Sequence, residues 1–291
     1  MSFDALLRGV RPRQWAKNTL VFAPAIAAHL VFDVALAGRL LMGLAVFSGV
    51  AGASYLFNDV RDVDDDRWHV TKRNRPFAAG QMSARAALVA AAVLATLSLA
   101  LAVILSPRFA GALAVYGLGA TAYSVGLKRW AAVDVIVLTA LYATRVVAGA
   151  VLVDVHLTRW FLAFAIFAFG SLALAKRVAE TQDVAARHLD VIAGRGYNGD
   201  DLPVLTAMGG ASVIASALVY SLYIMGEEAS VLYDTPGFLW LGLALFVYWM
   251  LRMWLFAGRG TLREDPIAFA ARDRASYVVV AAFLLTIWIA A

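Results

Sequence analysis

Apolar residues along this chain collect in long runs separated by short clusters of charge. The runs lie at roughly 19–32, 36–57, 86–105, 109–127, 131–152, 158–175, 203–225, 236–256 and 276–291. A helix needs about 20 apolar residues to cross the hydrocarbon core of a bilayer, and all nine runs reach or approach that length. The first and the last are the shortest. Strands of a membrane barrel would alternate apolar and polar residues over about 10 positions, and these runs do not. The pattern therefore predicts an all-α, polytopic membrane protein, a bundle of nine transmembrane helices that forms a single domain over residues 1–291.

Composition agrees with the pattern. The 291 residues are 62% hydrophobic and only 15% charged, with a mean hydropathy of +0.76, far from the average soluble domain. Basic residues then set an orientation. With the N-terminus cytoplasmic, the inner connections hold about 21 of the 25 Lys and Arg, whereas Arg39, Arg108 and Arg159 fall outside. The leading Met1-Ser2-Phe3-Asp4 lacks the basic start and apolar core of a cleavable signal, so none is expected. A pI near 9.6 reflects this topology and anionic substrates and does not argue for nucleic acid. With no cysteine, disulfide and thiol chemistry are excluded.

The most informative polar stretch follows the second run: Asn58-Asp59-Val60-Arg61-Asp62-Val63-Asp64-Asp65-Asp66-Arg67. At about 100° per residue, Asp59, Asp62 and Asp66 share a helical sector of roughly 60°, while Asp64 and Asp65 point elsewhere. Three carboxylates on one face repel one another, and a divalent cation removes that repulsion. Mg²⁺ takes one or two protein carboxylates and leaves its other positions to water and phosphate oxygens. A solvated acidic turn is the plainer alternative. The same connection continues with Lys72, Arg73 and Arg75, which can neutralise phosphate charge, or simply anchor the chain at the inner face. His69 reads as a loop residue.

Two further connections carry candidates. Tyr123-Ser124-Val125-Gly126-Leu127-Lys128-Arg129 is short and basic; Lys128 can reach an anion and Tyr123 can sit at the interface. Lys176-Arg177-Val178-Ala179-Glu180 closes the sixth run, with Lys176, Glu180, Asp183 and Arg187 on one face and Asp183 to Arg187 spaced for a pair. If the second and sixth spans are neighbours, these charged segments rim one cavity. Within the fifth run, Asp134 and Arg145 are about 16 Å apart along the axis and cannot pair directly. Arg145 therefore requires a polar cavity with its own partner, and Tyr142 lies on the same side.

Asn58-Asp59-x-x-Asp62-x-x-x-Asp66 followed by Thr71-Lys72-Arg73-x-Arg75-Pro76 resembles the first motif of the UbiA-type intramembrane prenyltransferases. Arg11-Pro12-Arg13-Gln14-Trp15-x-Lys17-Asn18 and Tyr123-Ser124-x-x-Leu127-Lys128 are similar to that family too. The resemblance implies a nine-helix bundle with a Mg²⁺-diphosphate site under a cytoplasmic cap, in the bacterial plasma membrane. Most members carry a second aspartate-rich motif after the sixth helix; this chain has Lys176-Arg177-x-x-Glu180 there. That departure, with Glu264-Asp265-Pro266 and Ala271-Arg272-Asp273-Arg274, resembles the branch that acts on decaprenyl phosphate.

The branch implies transfer of 5-phosphoribose from phosphoribosyl diphosphate to a polyprenyl phosphate, a step toward cell-wall precursors such as arabinogalactan. Asp59, Asp62 and Asp66 would hold Mg²⁺ and act as the catalytic carboxylates. Lys17, Asn58, Lys72, Arg73, Arg75, Tyr123, Lys128, Tyr142, Arg145, Lys176, Arg177 and Glu180 would contact substrate, with Lys17 near the acceptor phosphate and Lys176, Arg177 and Glu180 at the donor. The segment from Arg11 to Asn18 would lie flat at the cytoplasmic surface. A prenyltransferase with a prenyl diphosphate donor and an aromatic acceptor is the second reading, and a non-catalytic lipid carrier or transporter the third. A homo-oligomer is left open.

Overall fold

The computed structural model describes residues 3–68, 72–186, 195–262 and 265–291, with the backbone alone at 3, 65, 72 and 184–186. His69, Thr71, Arg187 and Glu264 lie outside the described residues. Thirteen α-helices follow in order: α1 Phe3–Gly9, α2 Ala23–Ala27, α3 Val34–Arg61, α4 Val63–Trp68, α5 Ala84–Leu105, α6 Pro107–Val125 and α7 Val133–Leu152. Then come α8 Arg159–Ala186, α9 Leu202–Met225, α10 Glu227–Leu232, α11 Leu239–Gly258, α12 Pro266–Ala270 and α13 Arg274–Ala290. Among the described residues there is no β-strand, and six helices, α3, α5, α7, α8, α9 and α11, are long and apolar enough to cross a membrane.

Local chemistry sets the helix ends. The Asp33 carboxylate accepts from the amides of Ala35 and Leu36 and starts α3. Ser106 caps α6 through the Phe109 amide, and Pro107 follows it at the first helical position, so α5 and α6 reverse direction across one residue. Helices α3 and α8 have 28 residues each, which at 1.5 Å per residue is about 42 Å against a hydrocarbon core of about 30 Å. The extra turns carry Asn58 and Asp59 on α3, and Lys176 to Glu180 on α8. The run foreseen over 158–175 thus continues well past its apolar part, to Ala186.

The segment foreseen as a first span, 19–32, is built differently. It is a 3-10 stretch, Pro12–Phe22, then α2, then a 3-10 turn at Leu30–Phe32. Pro12 and Pro24 sit at the first positions of their elements, and Arg11 and His29 adopt left-handed backbone angles, φ 52° and 58°, so no single α-helix runs through. The stretch is not flat on the surface either. Arg13 faces solvent, whereas Lys17 and Asn18 are 9% and 0% exposed and point inward.

This irregular stretch packs on α3 and α7. Its Val21 joins Leu40 and Phe47 of α3, Phe109 and Leu113 of α6 and Leu152 of α7 in one buried cluster. Gly149 of α7 makes the approach possible, since a Cβ there would lie 1.9 Å from the Val21 carbonyl oxygen. Outward-facing Leu97, Ile104, Leu118, Ile214 and Trp288 are exposed, as lipid-facing residues of a bundle are. The neighbour relation foreseen between α3 and α8 takes another form, because α7 packs against both.

The packing at Gly149 yields a direct test. Gly149→Ala is expected to destabilise the protein by about 1–3 kcal/mol through forced backbone displacement, read as a lower thermal unfolding midpoint in detergent. Gly111→Ala, whose added Cβ meets nothing within 4 Å, serves as the neutral comparison. Equal midpoints for the two variants would reject the close contact.

Candidate active site

The aspartate-rich segment sits where α3 hands over to α4. The Asp62 amide still bonds to the Asn58 carbonyl at 2.9 Å and the Asp66 amide to the Asp62 carbonyl at 2.8 Å, so helical geometry carries through the junction. Asp59 and Asp66 are each 3% exposed. Arg75 Nη1 bridges them, 3.4 Å from Asp59 Oδ1 and in direct contact with Asp66 Oδ2, while Arg11 closes on the same Asp59 oxygen. Asp62 turns to Lys128, which is itself buried, and accepts from the Asn58 amide at 2.9 Å. Burial and the adjacent Arg11 charge hold the Arg75 guanidinium below its ordinary value, against the pull of Asp59 and Asp66.

A second, basic cluster lies beside it. Lys17 Nζ is 3.0 Å and Lys176 Nζ 3.8 Å from Asp265 Oδ2, and the Tyr142 hydroxyl donates to the same oxygen at 2.5 Å. Burial alone would raise the Asp265 carboxyl, yet Lys17, Lys176 and the Tyr142 bond outweigh it and keep the group well below the usual carboxylate range. Tyr55 separates the two clusters: its ring lies 5.3 Å under the Arg11 guanidinium and within electrostatic reach of Arg145 and Asp265.

Arg145 has the polar partners its burial requires. It donates to Asn18 Oδ1 at 3.0 Å, to the Tyr116 hydroxyl at 3.0 Å and to the Leu141 carbonyl, and it stacks over the rings of Phe47, Tyr116 and Tyr142. Asn18 in turn donates to Ser48. Asp134 is engaged elsewhere. It faces Arg177 at 3.2 Å, with both side chains 0% exposed, and accepts from the Tyr197 hydroxyl at 2.6 Å. Tyr197 also accepts from the Ala132 amide, and Arg195 donates to the Tyr123 hydroxyl at 2.8 Å, so the 195–197 segment clamps the loop that presents Lys128.

The structure therefore sorts the foreseen residues. Asp59, Asp66, Asn58, Asp62, Arg75 and Lys128 come together, as do Lys17, Tyr142 and Lys176. Arg177, expected beside Lys176 at a donor, turns away to Asp134 and Glu180, since successive helical residues point about 100° apart. Arg73 is exposed, and the Lys72 side chain lies outside the described residues. Asp64 is exposed with Arg67 3.7 Å away. Arg11, Asn18, Tyr55, Tyr116 and Asp265, none of them given a role from sequence, also join these clusters; the quoted Arg11 to Asn18 and Glu264 to Pro266 motifs contain Arg11, Asn18 and Asp265, and no motif pointed to Tyr55 or Tyr116.

Each of the three aspartates is paired with a cation in this structure. Among the described residues no three acidic or histidine side chains group closely enough to hold a cation, because Lys128 draws Asp62 aside. Asp59 and Asp66 do fit one. Two buried carboxylates already converge on a single cationic nitrogen of Arg75, and Mg²⁺ needs no more than two protein carboxylates when phosphate oxygens complete its shell.

An all-helical membrane bundle whose acidic helix end faces a ring of buried cations is the class these features define. The chain belongs to the UbiA prenyltransferase family, whose profile matches residues 18–279. It is 30% identical to the nodulation protein NoeC of Azorhizobium caulinodans over 96% of this chain and 90% of that one. Decaprenyl-phosphate phosphoribosyltransferase of Mycobacterium tuberculosis is 44% identical over 60% of this chain and 59% of its own length. Sinorhizobium fredii y4nM is 35% identical over 94% of this chain and 53% of that protein. The chain thus spans little more than half the length of these last two relatives. A UbiA homologue from Archaeoglobus fulgidus, solved with GPP and Mg²⁺, superposes with a TM-score of 0.73 at 17% identity, covering 99% of this chain and 100% of that one, a likeness of fold.

The buried Asp134–Arg177 pair provides a test of the clamp. Asp134→Asn is expected to destabilise the protein toward the lower end of the about 3–5 kcal/mol that follows removal of one buried partner, because Glu180 stays on Arg177. Combining Asp134→Leu with Arg177→Met is expected to recover most of the loss in a detergent unfolding assay. A double variant as unstable as Asp134→Asn would show that the pair is not the stabilising element.

Proposed function

We propose that the protein transfers 5-phosphoribose from phosphoribosyl diphosphate to a polyprenyl phosphate and releases diphosphate, with Mg²⁺. The observation that carries this reading is the pairing of an acidic centre at Asp59 and Asp66 with a separate basic centre at Lys17 and Lys176. A prenyl diphosphate presents a single diphosphate. Phosphoribosyl diphosphate presents a diphosphate and a 5-phosphate, and the acceptor brings another phosphate, so lysines where a second metal motif would stand suit the larger number of anions. The names of the mycobacterial relatives support the same reading.

Asp59 and Asp66 would hold Mg²⁺, which would stabilise the negative charge of the departing diphosphate. Arg11, Arg75 and Lys128, released from the carboxylates they neutralise, would bind diphosphate oxygens. The acceptor is a phosphate monoester ionised at neutral pH, so its oxygen attacks the anomeric carbon without a general base. One C–O bond to phosphate forms as the C–O bond to diphosphate breaks, and attack from the opposite face inverts the carbon. The chain's part is to place the acceptor oxygen behind that carbon. Apolar grooves between the helices would carry the prenyl tail.

In an assay with polyprenyl phosphate, Mg²⁺ and labelled phosphoribosyl diphosphate, labelled lipid is the expected product. Asp59→Asn and Asp66→Asn are expected to reduce turnover by about 100-fold or more, Asp64→Asn to change it little, and chelator to abolish it. Transfer from geranylgeranyl diphosphate to an aromatic acid, with none from phosphoribosyl diphosphate, would establish the alternative donor instead.

The charged end of the bundle is placed at the cytoplasmic face on the basis of the distribution of Lys and Arg. Because the chain has no cysteine, single substitutions Asp200→Cys and Glu228→Cys report sidedness through an impermeant thiol reagent. Labelling of Glu228→Cys alone in intact cells is expected. Labelling of Asp200→Cys alone would invert the orientation.

A further inference from the structure

Lys17, Lys176 and Tyr142 come from three separate elements, the Pro12–Phe22 stretch, α8 and α7, yet all three reach one atom, Oδ2 of Asp265. The other oxygen of that carboxylate accepts from the Ile267 amide at 3.2 Å and caps α12. One singly charged, buried group thus answers two ammonium groups and a phenol, with the Lys176 side chain 23% exposed. Glu180, the other carboxylate in electrostatic reach of Lys176, is already engaged with Arg177. Elsewhere at this end the described cations do not outnumber the carboxylates they meet: Lys128 meets Asp62, Arg252 meets Asp273, Arg11 and Arg75 meet Asp59 and Asp66, and Arg177 meets Asp134 and Glu180. The Arg145 guanidinium, 5.5 Å from the Tyr142 ring centre, adds positive potential from below and spends its described hydrogen bonds on neutral groups.

The anion that balances two ammonium groups carries more than one negative charge and several acceptor oxygens. A phosphate monoester, with a charge of about −1.5 to −2 near neutral pH, has both properties. We infer that Lys17, Lys176 and Tyr142 form one phosphate-monoester subsite, that Asp265 holds the place of the phosphate in it, and that a bound phosphate displaces the Asp265 carboxylate. The inference rests on the reading of the protein as a transferase between phosphorylated substrates. It adds that Lys17 and Lys176 serve one anion together, where the sequence reading divides them between acceptor and donor. Two sources have the required chemistry: the 5-phosphate of a sugar donor and the phosphate of a prenyl acceptor.

Equilibrium binding to the full chain in lipid nanodiscs, with ribose 5-phosphate and farnesyl phosphate as separate probes, decides the matter. For one of the two probes, Lys17→Gln and Lys176→Gln are each expected to weaken binding about tenfold or more, as loss of a charged hydrogen bond does. Asp265→Asn is expected to tighten the same probe about tenfold by removing the internal competitor. The probe that responds identifies the source. If Lys17→Gln weakens only farnesyl phosphate and Lys176→Gln only ribose 5-phosphate, the shared subsite is overturned. If Asp265→Asn binds no more tightly than the native chain, the carboxylate is a fixed anchor and its displacement is overturned.

Should Asp265→Asn fail to fold, Ile267→Cys gives the displacement in a chain that keeps Asp265. The responding probe is expected to raise the alkylation rate of this sole thiol several-fold, and an unchanged rate overturns the exchange. All these readouts are independent of turnover. A protein that binds a monoester as described but transfers no phosphoribose keeps the inference and loses only the proposed function. One that transfers phosphoribose with Asp265→Asn binding unchanged does the reverse.

Discussion

Charge buried at the end of an apolar bundle has to be neutralised within the protein, and the charged end of this one is organised by that requirement. Burial limits what solvent can do, and an uncompensated buried ion costs several kcal/mol even after relaxation. Asp59 and Asp66 are met by Arg11 and Arg75, Asp62 by Lys128, Asp265 by Lys17 and Lys176, and Arg177 by Asp134 and Glu180. Most of these pairs join segments distant in sequence. The same contacts that neutralise the charges therefore tie the α3–α4 junction, the loop before α7, the end of α8 and the start of α12 into one assembly.

Such neutralisation is provisional in a way that apolar packing is not. In the proposed function, a divalent cation would take the place of the Arg75 nitrogen shared between two carboxylates, and the arginine would then be available to phosphate oxygens. An Asp265 carboxylate that receives two lysines can be exchanged for a more highly charged oxyanion. Ion pairs of this kind satisfy buried charge and hold each partner in place. Arg177 has a different part. Fully buried against Asp134 and clamped through Tyr197 and the Ala132 amide, it stiffens the loop that carries Lys128.

Adjoining the two clusters is an aromatic and amide group, Tyr55, Tyr116, Asn18 and Arg145. Here the guanidinium is held by neutral groups and ring faces. That arrangement leaves a diffuse positive potential below the cavity. It also depends on the Pro12–Phe22 stretch entering the bundle, since Asn18 comes from it, and that entry depends in turn on the absence of a side chain at Gly149.

The long helices were legible in the sequence because a bilayer demands a fixed length of apolar residues, and run lengths record that demand directly; α5, α7 and α9 begin and end within two residues of their runs. The helical face shared by Asp59, Asp62 and Asp66 was legible for a similar reason, as a matter of angular spacing alone. The build of residues 12–32 was not, since the 19–32 part is apolar enough to resemble a span and the irregularity follows from two prolines and a close approach to a residue far along the chain. Spacing also could not show that Lys128 takes Asp62 out of a three-carboxylate set, or that Arg177 leaves Lys176 for Asp134. Asp265 is the clearest case: it stands in the quoted Glu264-Asp265-Pro266 motif, but nothing in its spacing shows that it meets Lys17 and Lys176. Sequence by itself determined which residues could lie in the membrane and which charges gathered at one end. Only the tertiary structure decided which opposite charges meet, because pairing depends on through-space distance, and burial makes that distance the difference between a stabilised ion and a prohibitive one.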